Sequence, residues 1–294
     1  VYTYRKSNVS MHRAAGFRRV EYLPLAANPR RRRPMPLDER ETARYGAQVS
    51  FVGSSMAGQA EILARLYRDL TGQIAQSDGS TGSSASNYDQ LFSRALDRQA
   101  RECDRYVVEE MFAEREAGSV PRDCVLDSRG RRVDLTRCIG EVAASRRRVQ
   151  VLSRLQGFQV KLWGDEGWKG LLPESVTYCG PAGHYRELTR IYNATSVNLD
   201  INRIYQKDIV TMRVFDVVAC RGFVLADHSD ALADLFHPGT EIVSYRTLDE
   251  LPRLVEYFLL RPDQREAVAA AGYERLLKEH TIRKRLQQML SRLP

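Results

Sequence analysis

Three short apolar segments in the middle of the chain restrict its fold more than any other feature. They cover residues 176–179, 196–199 and 223–226, have the length of β-strands, and are separated by amphipathic segments of helical length. Strands that alternate with helices at this spacing predict βαβ units, and hence an α/β fold with a parallel sheet flanked by helices. Because ligands of such sheets bind outside the carboxyl ends of the strands, we expect the functional site at that edge.

Composition limits the class of protein. The 294 residues are 43% hydrophobic and 28% charged, which suits one large domain or two and excludes a disordered chain. No run of 18 apolar residues occurs, so we expect no membrane span. The five cysteines are odd in number and form no C-x-x-C pair, which argues against a disulfide framework or a zinc site and favours a cytoplasmic location.

The formal net charge of +8 predicts a negatively charged partner. Nucleotide diphosphates, nucleic acid and anionic lipid all meet that description, and a solvated basic face needs no partner at all. Much of the excess lies in the first tenth of the chain, where residues 30–33 are four consecutive arginines. Charge alone therefore leaves the partner open.

A break in composition divides the chain near its start. Prolines on both sides of the arginine run indicate a stiff linker, which we expect to end an N-terminal α/β remnant, residues 1–36. The chain opens at Val1 inside an apparent strand, as a fragment of a longer protein would. A second unit is expected at 37–294, with a helical insertion at about 73–155.

The predicted insertion has three parts. Residues 71–87 are rich in serine and glycine, which predicts a flexible linker. Asn87 and Gln90 resemble a capping box, so we expect a long helix to begin there and to continue through Met111. After a polar loop at 118–134, a second helix is expected to end near Leu155. The apolar stripe of this helical hairpin would serve packing or the formation of a homo-oligomer.

One predicted strand ends in a turn that suits a bound anion. Gly53 and Ser54 follow one strand and precede a helix, so N–H groups at the helix start would be available to a phosphate. Many α/β proteins use such a turn only as a tight connection. Gly164 and Asp165 end the next predicted strand.

Asp208 and Asp216 lie on either side of seven residues. Thr211 is predicted to cap the helix that carries Asp216. Because Asp216 has apolar neighbours, its carboxylate needs a partner. In one interpretation Arg213, three residues earlier, forms an ion pair with it. In the other, Asp216 accepts hydrogen bonds from ribose hydroxyls, while Arg213, Lys207 and the helix N-terminus hold a diphosphate.

A series of short motifs occurs in a fixed order along the chain. Its members are Gly53, Gly164 with Trp168, Tyr178 with Gly180, Tyr192-Asn193, Val197-Asn198, Arg213-Val214-Phe215-Asp216, Ala219 with Gly222, Leu225 with Asp227, and His280-Thr281 with Arg285. With these motifs, residues 176–285 resemble the C-terminal domain of GT-B-fold glycosyltransferases, in the group called CgeB-like or spore-maturation-protein-like. Residues 22–27 resemble the motif that closes the N-terminal domain of that group.

The resemblance implies a Rossmann-like domain that binds a nucleotide sugar at 37–294, and the end of an acceptor-side domain at 1–36. It implies a hexosyltransferase that moves a sugar from a nucleotide-diphosphate donor to a glycan, protein or small-molecule acceptor. Retention of anomeric configuration and the absence of a permanently bound cofactor are also implied. Since the chain contains no D-x-D motif, positive groups rather than a metal would neutralise the leaving diphosphate.

The resemblance also assigns roles to residues. Asp208, Arg213 and Asp216 would be catalytic, since related retaining enzymes carry two glutamates at the spacing of the two aspartates. The first glutamate contacts the donor sugar or phosphate, and the second contacts the ribose. Aspartate is shorter by a methylene, so the donor geometry must differ. The residues expected to bind the nucleotide sugar are Gly53, Ser54, Gly164, Asp165, Tyr178, Gly180, Asn198, Lys207 and Thr211.

A different class of function competes with this one. The arginine-rich linker, residues 146–148 and the basic C-terminal helix would let a non-catalytic module grip nucleic acid or an acidic partner. The chain lacks the interleaved aromatic residues that single-strand binders use, which disfavours nucleic acid. A steep loss of binding with added salt would indicate nucleic acid rather than a nucleotide sugar.

Overall fold

The structure, a computed structural model, describes residues 1–77, 83–113, 122–125, 132–206 and 208–291. The strands of these ranges are β1 (Tyr2–Thr3), β2 (Glu21–Tyr22), β3 (Ala47–Val52), β4 (Asp123–Val125), β5 (Arg132–Asp134), β6 (Val160–Trp163), β7 (Val176–Tyr178), β8 (Thr195–Asp200), β9 (Val224–Asp227) and β10 (Val243–Tyr245). The α-helices are α1 (Ser7–Ala14), α2 (Glu39–Tyr45), α3 (Ala57–Ser77), α4 (Ser83–Arg101), α5 (Val108–Ala113), α6 (Leu135–Ser153), α7 (Glu187–Ala194), α8 (Met212–Ala219), α9 (Asp230–Ala233), α10 (Glu250–Leu259), α11 (Pro262–Glu279) and α12 (Ile282–Leu290). None of these helices has both the length and the apolar character that a membrane crossing requires.

A six-stranded parallel sheet forms the centre of the described part of the chain. Its strand order is β10-β9-β8-β3-β6-β7, and every neighbouring pair is parallel. The three strands predicted from the apolar segments are β7, β8 and β9, so the predicted α/β fold with a parallel sheet flanked by helices is confirmed. The turns that follow β3, β6, β7, β8 and β9 share one edge of the sheet, which we call the carboxyl edge.

Both faces of the sheet are covered because its central strands are apolar along most of their length. Val49, Phe51, Leu162 and Val197 are fully buried. One face packs against α7, α8 and α11, and the other packs mainly against α6 and α10. Burial on both faces is typical of parallel sheets. Each large apolar side chain buried in this way contributes roughly 1.5–3 kcal/mol.

The first half of the predicted insertion differs from the structure. The described parts of the predicted flexible linker at 71–87 belong to α3 and α4, and Asn87 lies inside α4 rather than capping it. Residues 78–82 lie outside the described ranges. The rings of Tyr67 on α3 and Phe92 on α4 lie with their centroids 4.8 Å apart and are buried. Such packing outweighs the weak helix preference of serine, which explains the wrong prediction.

The helix predicted to continue through Met111 ends with α4, and Met111 belongs to α5. The side chain of Gln99 accepts a hydrogen bond from Val107 N at 3.0 Å and so holds the turn between the two helices. The described part of the predicted polar loop at 118–134 contains the antiparallel pair β4 and β5. α6 then returns the chain to the sheet and leads into β6.

The N-terminal segment packs onto the second half of the chain. β1 and β2 pair in parallel on either side of α1 in the sequence. β2 is only two residues long, and beyond it the carbonyl of Pro24 accepts a hydrogen bond from Arg285 Nε at 2.9 Å. The assignment of residues 1–36 to a separate domain, and the boundaries of the insertion, stay predictions.

Candidate functional site

Asp200, the last residue of β8, connects the carboxyl edge to the start of α8. Its Oδ1 accepts hydrogen bonds from Thr211 Oγ1 at 2.7 Å and from Arg213 Nη1 at 2.5 Å. Thr211 occupies the N-cap position of α8, as predicted, but its side chain makes no cap hydrogen bond. The reason is that Asp200 is buried and requires donors, which the Thr211 hydroxyl supplies.

Arg213 lies across the end of β3. Its Nε donates a hydrogen bond to the carbonyl of Val52 at 2.6 Å, and its guanidinium carbon lies 4.7 Å from the centroid of the Phe51 ring. A Cβ added to Gly53 would come within 2.7 Å of Arg213 Nη2. Glycine at this position therefore leaves the room that the guanidinium occupies.

The turn after β3 is tied to the turn after β6. Asp165 accepts hydrogen bonds from Ser55 N at 2.9 Å and Ser55 Oγ at 2.6 Å, and Ser55 Oγ accepts one from Ala57 N at the start of α3. Burial acts to raise the pKa of Asp165, but hydrogen bonds from Ser54, Ser55 and Gly167 outweigh it and lower the pKa. The ionised carboxylate thus fixes the Gly/Ser turn predicted from the sequence.

Main-chain groups bring four more of the predicted residues together. Gly164 N donates to the carbonyl of Gly180 at 3.0 Å, and the Tyr178 hydroxyl donates to the carbonyl of Gly164 at 3.2 Å. The buried Trp168 donates from Nε1 to the carbonyl of Gly53 at 2.8 Å. Gly53, Gly164, Tyr178 and Gly180 therefore belong to adjacent turns at the carboxyl edge.

Two arginines of α6 also reach this edge, although neither is among the residues predicted for the site. Arg147 is 3% exposed and donates from Nη1 and Nη2 to the two carboxylate oxygens of Asp227, at 2.8 and 2.7 Å. Asp227 ends β9 and also accepts a hydrogen bond from Asn202 N at 2.9 Å. This buried ion pair joins α6 to the strand ends of β8 and β9.

Arg148 is 7% exposed and has a different environment. Its Nη1 donates to the carbonyl of Ser54, and its guanidinium carbon lies 5.8 Å from the centroid of the Phe51 ring. Within the described ranges it forms no ion pair with a carboxylate, and its Nε has no hydrogen-bond partner. Burial, followed by the charges of Arg213 and Arg203, lowers the pKa of Arg148 to about 10. The guanidinium is therefore a buried charge without a directly paired carboxylate, and Asp200 and Asp165 only partly offset the effects of burial and of the two arginines.

A cavity of about 300 Å³ opens beside the loop that follows β8. Arg5, Arg137 and Arg203 line it, together with Tyr106 and Tyr205, whose ring centroids are 6.0 Å apart. Two acidic side chains complete the charged part of its lining. The cavity is thus polar and carries charges of both signs.

The three residues predicted to be catalytic have three different partners in the structure. Asp208 contacts residues of the N-terminal segment. It accepts hydrogen bonds from Arg5 Nη2 at 2.9 Å, Ser7 N at 3.1 Å and Ser7 Oγ at 2.5 Å. Burial acts to raise the pKa of Asp208, but Arg5 and Ser7 outweigh it and lower the pKa. Asp208 therefore holds the start of α1 against the loop after β8.

Asp216 pairs with the linker. Arg32 Nε lies 3.1 Å from Asp216 Oδ2, and Arg32 Nη2 donates to the carbonyl of His184 at 2.7 Å. The predicted ion pair between Arg213 and Asp216 is wrong, because Arg213 pairs with Asp200. Burial raises the pKa of Asp216, and the charge of Arg32 opposes that rise. The side chain of Asp216 keeps 15% of its surface exposed.

Two of the predicted binding residues are not placed with the others. Asn198 is buried inside β8, where its side chain donates to the carbonyl of Phe223 at 3.2 Å and accepts from the Ser50 hydroxyl at 3.0 Å. Its position at the carboxyl edge was wrongly predicted, because β8 continues two residues further and Asn198 pairs in register with Val224 at the start of β9. Lys207 lies outside the described residues.

Four of the arginines named for a nucleic-acid surface are buried. Arg32, Arg147, Arg148 and Arg285 donate to carboxylates or carbonyls of the protein itself. In the run at 146–148, Arg146 alone is exposed. The predicted nucleic-acid surface is therefore wrong for these four residues. A run of arginines on an otherwise apolar helix is the only sequence signal for Arg147 and Arg148, and it does not distinguish buried from exposed side chains.

A protein family described as "Glycosyl transferase-like" matches residues 141–291, just over half of the chain. The chain belongs to this family. The glycosyl transferase-like region begins inside α6 and extends through α12. It includes Arg147, Arg148, Arg213 and Asp216, whereas Gly53 and most of the predicted insertion precede it.

One curated protein is similar in sequence to part of this chain. Spore protein CgeB of Bacillus subtilis (strain 168) is 27% identical to the glycosyl transferase-like chain, over 42% of this chain and 43% of that protein. The match thus spans less than half the length of this curated relative.

Two solved structures share the fold over almost the whole chain. Sucrose-phosphate synthase from Thermosynechococcus elongatus has a TM-score of 0.54 at 13% identity, over 99% of this chain and 56% of that one. Anabaena Alr3699/HepE in complex with UDP and glucose has a TM-score of 0.51 at 9% identity, over 99% and 62%. At this identity the likeness shows the fold, which is that of GT-B glycosyltransferases.

Proposed function

We propose that this glycosyl transferase-like chain belongs to a hexosyltransferase that moves a sugar from a nucleotide-diphosphate donor to an acceptor. One observation carries the proposal. Asp200 and the Val52 carbonyl hold the guanidinium of Arg213 beside Gly53, at the edge where parallel sheets bind ligands. A fixed cation at this edge suits a leaving diphosphate, which gains negative charge in the transition state.

A likeness in fold supports the donor class. HepE, whose fold matches 99% of the present chain, forms a complex with UDP and glucose. We extend this pairing of nucleotide and sugar to the present chain and propose a UDP, GDP or dTDP sugar as donor. The donor is a substrate and is not a permanently bound cofactor. The acceptor is proposed to be a glycan, a protein or a small molecule.

In this proposal, the residues of the carboxyl edge have different roles in binding the donor. Arg213 neutralises the leaving diphosphate without a metal ion, and the turns at Gly53, Gly164 and Gly180 contact the nucleotide. Asp216 accepts a ribose hydroxyl while Arg32 stays on its other oxygen. A contact between Asp208 and the donor sugar, which the family resemblance suggests, requires Arg5 to release that carboxylate.

Retention of anomeric configuration belongs to the proposal through the family resemblance. The product's anomeric proton coupling in a ¹H NMR spectrum decides between retention and inversion.

A thermal-shift panel of nucleoside diphosphates and nucleotide sugars tests the donor site. We expect at least one compound to raise the melting temperature of the wild-type chain. Asp216→Asn weakens the ribose contact, and Arg213→Lys keeps a charge for Asp200 but loses the guanidinium fork. Each should remove most of the rise. Met212→Ala, an exposed neighbour on α8, is the matched control and should keep it.

Two results of this panel would reject the proposed function. One is a wild-type chain that no nucleotide stabilises. The other is an equal rise in the wild type and in both site variants, provided that circular dichroism shows all of them folded.

A further inference from the structure

We propose that Arg148 and Arg213 together form an anion site next to the Phe51 ring, and that its ligand is the diphosphate group of the donor. The inference rests on the proposed function and adds to it a cation from α6. The two guanidinium carbons lie 5.8 and 4.7 Å from the centroid of the Phe51 ring. Their hydrogen bonds to the carbonyls of Ser54 and Val52 place both groups on the turn that ends β3.

Arg148 has fewer partners in the protein than the other buried arginines have. Arg147 and Arg32 each pair with an aspartate, and Arg285 donates to the carbonyls of three residues. Arg148 donates to one carbonyl, its Nε has no partner, and no carboxylate in the described part of the chain pairs with it. A buried charge without a counter-ion is costly, so an anion from outside would stabilise this arrangement.

The position of Arg148 makes it reachable from the carboxyl edge. Ser54, whose carbonyl accepts its hydrogen bond, is exposed, so the guanidinium is in contact with a surface residue of the turn. Asp200 already compensates Arg213, whereas Arg148 adds a charge that its surroundings leave in excess. The positive charges of Arg213 and Arg203 act on Arg148 more strongly than the negative charges of Asp200 and Asp165 do, so a bound anion would relieve the remaining repulsion.

A diphosphate fits this pair better than a single carboxylate does. Planar guanidinium groups bind phosphate oxygens in a bidentate way, and a diphosphate offers two phosphoryl groups to two guanidinium groups. α3 begins at Ala57, three residues after Ser54, so the positive end of a long helix also faces this turn. The ligand class is therefore the diphosphate of a nucleotide, with inorganic pyrophosphate as the smallest compound that carries it.

Arg148→Met tests the inference in two measurements on the full chain. In calorimetric titration with inorganic pyrophosphate, the dissociation constant should rise at least about 10-fold, since a hydrogen bond to a charged group is lost. Without ligand, the melting temperature should stay the same or rise, because a buried charge without a directly paired carboxylate has been removed. A residue with only a structural role would instead lower the melting temperature and leave pyrophosphate binding intact.

Arg146→Met is the matched control, since Arg146 is the exposed neighbour on the same helix and its loss should change neither measurement. Arg148→Lys keeps the charge and loses the fork, so it should weaken pyrophosphate binding by an intermediate factor. It serves as the second test if the methionine variant fails to fold.

The outcomes separate this inference from the proposed function. A wild-type chain that does not bind pyrophosphate, or an Arg148→Met variant that binds it as tightly as the wild type, overturns the inference. If nucleotides still stabilise that variant as they do the wild type, the proposed function stands without Arg148. If pyrophosphate binds through Arg148 but no nucleotide or nucleotide sugar binds, the anion site stands and the proposed function is wrong.

Discussion

The carboxyl edge and the contact between the N-terminal segment and the rest of the chain use charge in different ways. We call this contact the N-terminal seam and define it by Arg5, Arg32, Asp208, Asp216 and Arg285. At the seam each of these side chains has a partner in the protein, either an opposite charge or main-chain carbonyls. At the carboxyl edge, adjacent residues of α6 differ, since Arg147 pairs with Asp227 and Arg148 pairs with no carboxylate that the structure describes.

This difference separates residues that hold the fold together from residues available to a ligand. A buried ion pair with complete hydrogen bonding has no capacity left for substrate, whereas an incompletely paired cation does. On this criterion Arg148 belongs to the candidate site and Asp208 belongs to the seam, whereas Arg213 and Asp216, which are both paired, are proposed for the site because of their position at the carboxyl edge. The spacing of Asp208 and Asp216 in the sequence does not show this, because their partners Arg5 and Arg32 are distant along the chain.

The largest loss of stability should follow from substitution of the paired arginine of α6. Arg147→Met leaves Asp227 buried without its counter-ion, so the free energy of unfolding should fall by about 3–5 kcal/mol. Urea denaturation followed by circular dichroism measures it, with Arg146→Met as a control expected within about 0.5 kcal/mol of the wild type. Equal losses for Arg147→Met and Arg148→Met would remove the distinction between the two residues.

A smaller effect is expected where Arg213 crosses the end of β3. Gly53→Ala places a methyl group against the guanidinium and the Phe51 ring, so we expect a loss of roughly 1–3 kcal/mol in stability and weaker nucleotide binding. Gly58→Ala is the matched control, because an added Cβ there meets no atom within 4 Å. Thermal unfolding and nucleotide titration of both variants test this. Unchanged nucleotide affinity in Gly53→Ala would place the nucleotide away from this turn.

Asp208→Asn should have a modest effect confined to the seam. It removes the charge that Arg5 and Ser7 contact, so we expect the free energy of unfolding to fall by about 1–2 kcal/mol while nucleotide affinity stays unchanged. Parallel denaturation and titration measure both quantities. The opposite result, with stability kept and nucleotide binding or transfer lost, would place Asp208 in the site, as the family resemblance suggests.

The smallest effect concerns pH at the seam. His280 Nδ1 faces Arg285 Nη2 at 2.9 Å, and its Nε2 lies 2.8 Å from the carbonyl of Leu235, a pattern that suits a neutral ring. Burial lowers the pKa of His280, and Arg285 and Arg275 lower it further, against the opposing influence of the Leu235 carbonyl and Glu279.

The unfolded chain therefore binds this proton more readily than the folded chain does. Stability from His280 should be fully present above its unfolded pKa of about 6.5 and should be lost as the pH falls through the lower folded value. Denaturation of wild type and His280→Gln between roughly pH 5 and pH 8 isolates this contribution. A constant difference between the two proteins over that range would contradict it.

Local sequence patterns predicted which strands and helices form better than they predicted where those strands and helices begin and end. The apolar segments at β7, β8 and β9 were recognisable because strands buried on both faces are apolar throughout. The start of α4 was not, because the burial of Tyr67 against Phe92 keeps a serine-rich segment helical. Asn198 was misplaced for a related reason, since it lies two residues before the end of β8 at Asp200 and its side chain is inside the sheet rather than at its edge.

The sequence by itself determined the parallel sheet, its carboxyl edge and the set of charged and glycine residues that lie near it. Only the tertiary structure decided which charged side chains pair with each other. The physical reason is distance along the chain. Hydrophobic periodicity acts within one element, whereas the pairs Arg32–Asp216 and Arg147–Asp227 join residues that only the packed fold brings within about 3 Å of each other.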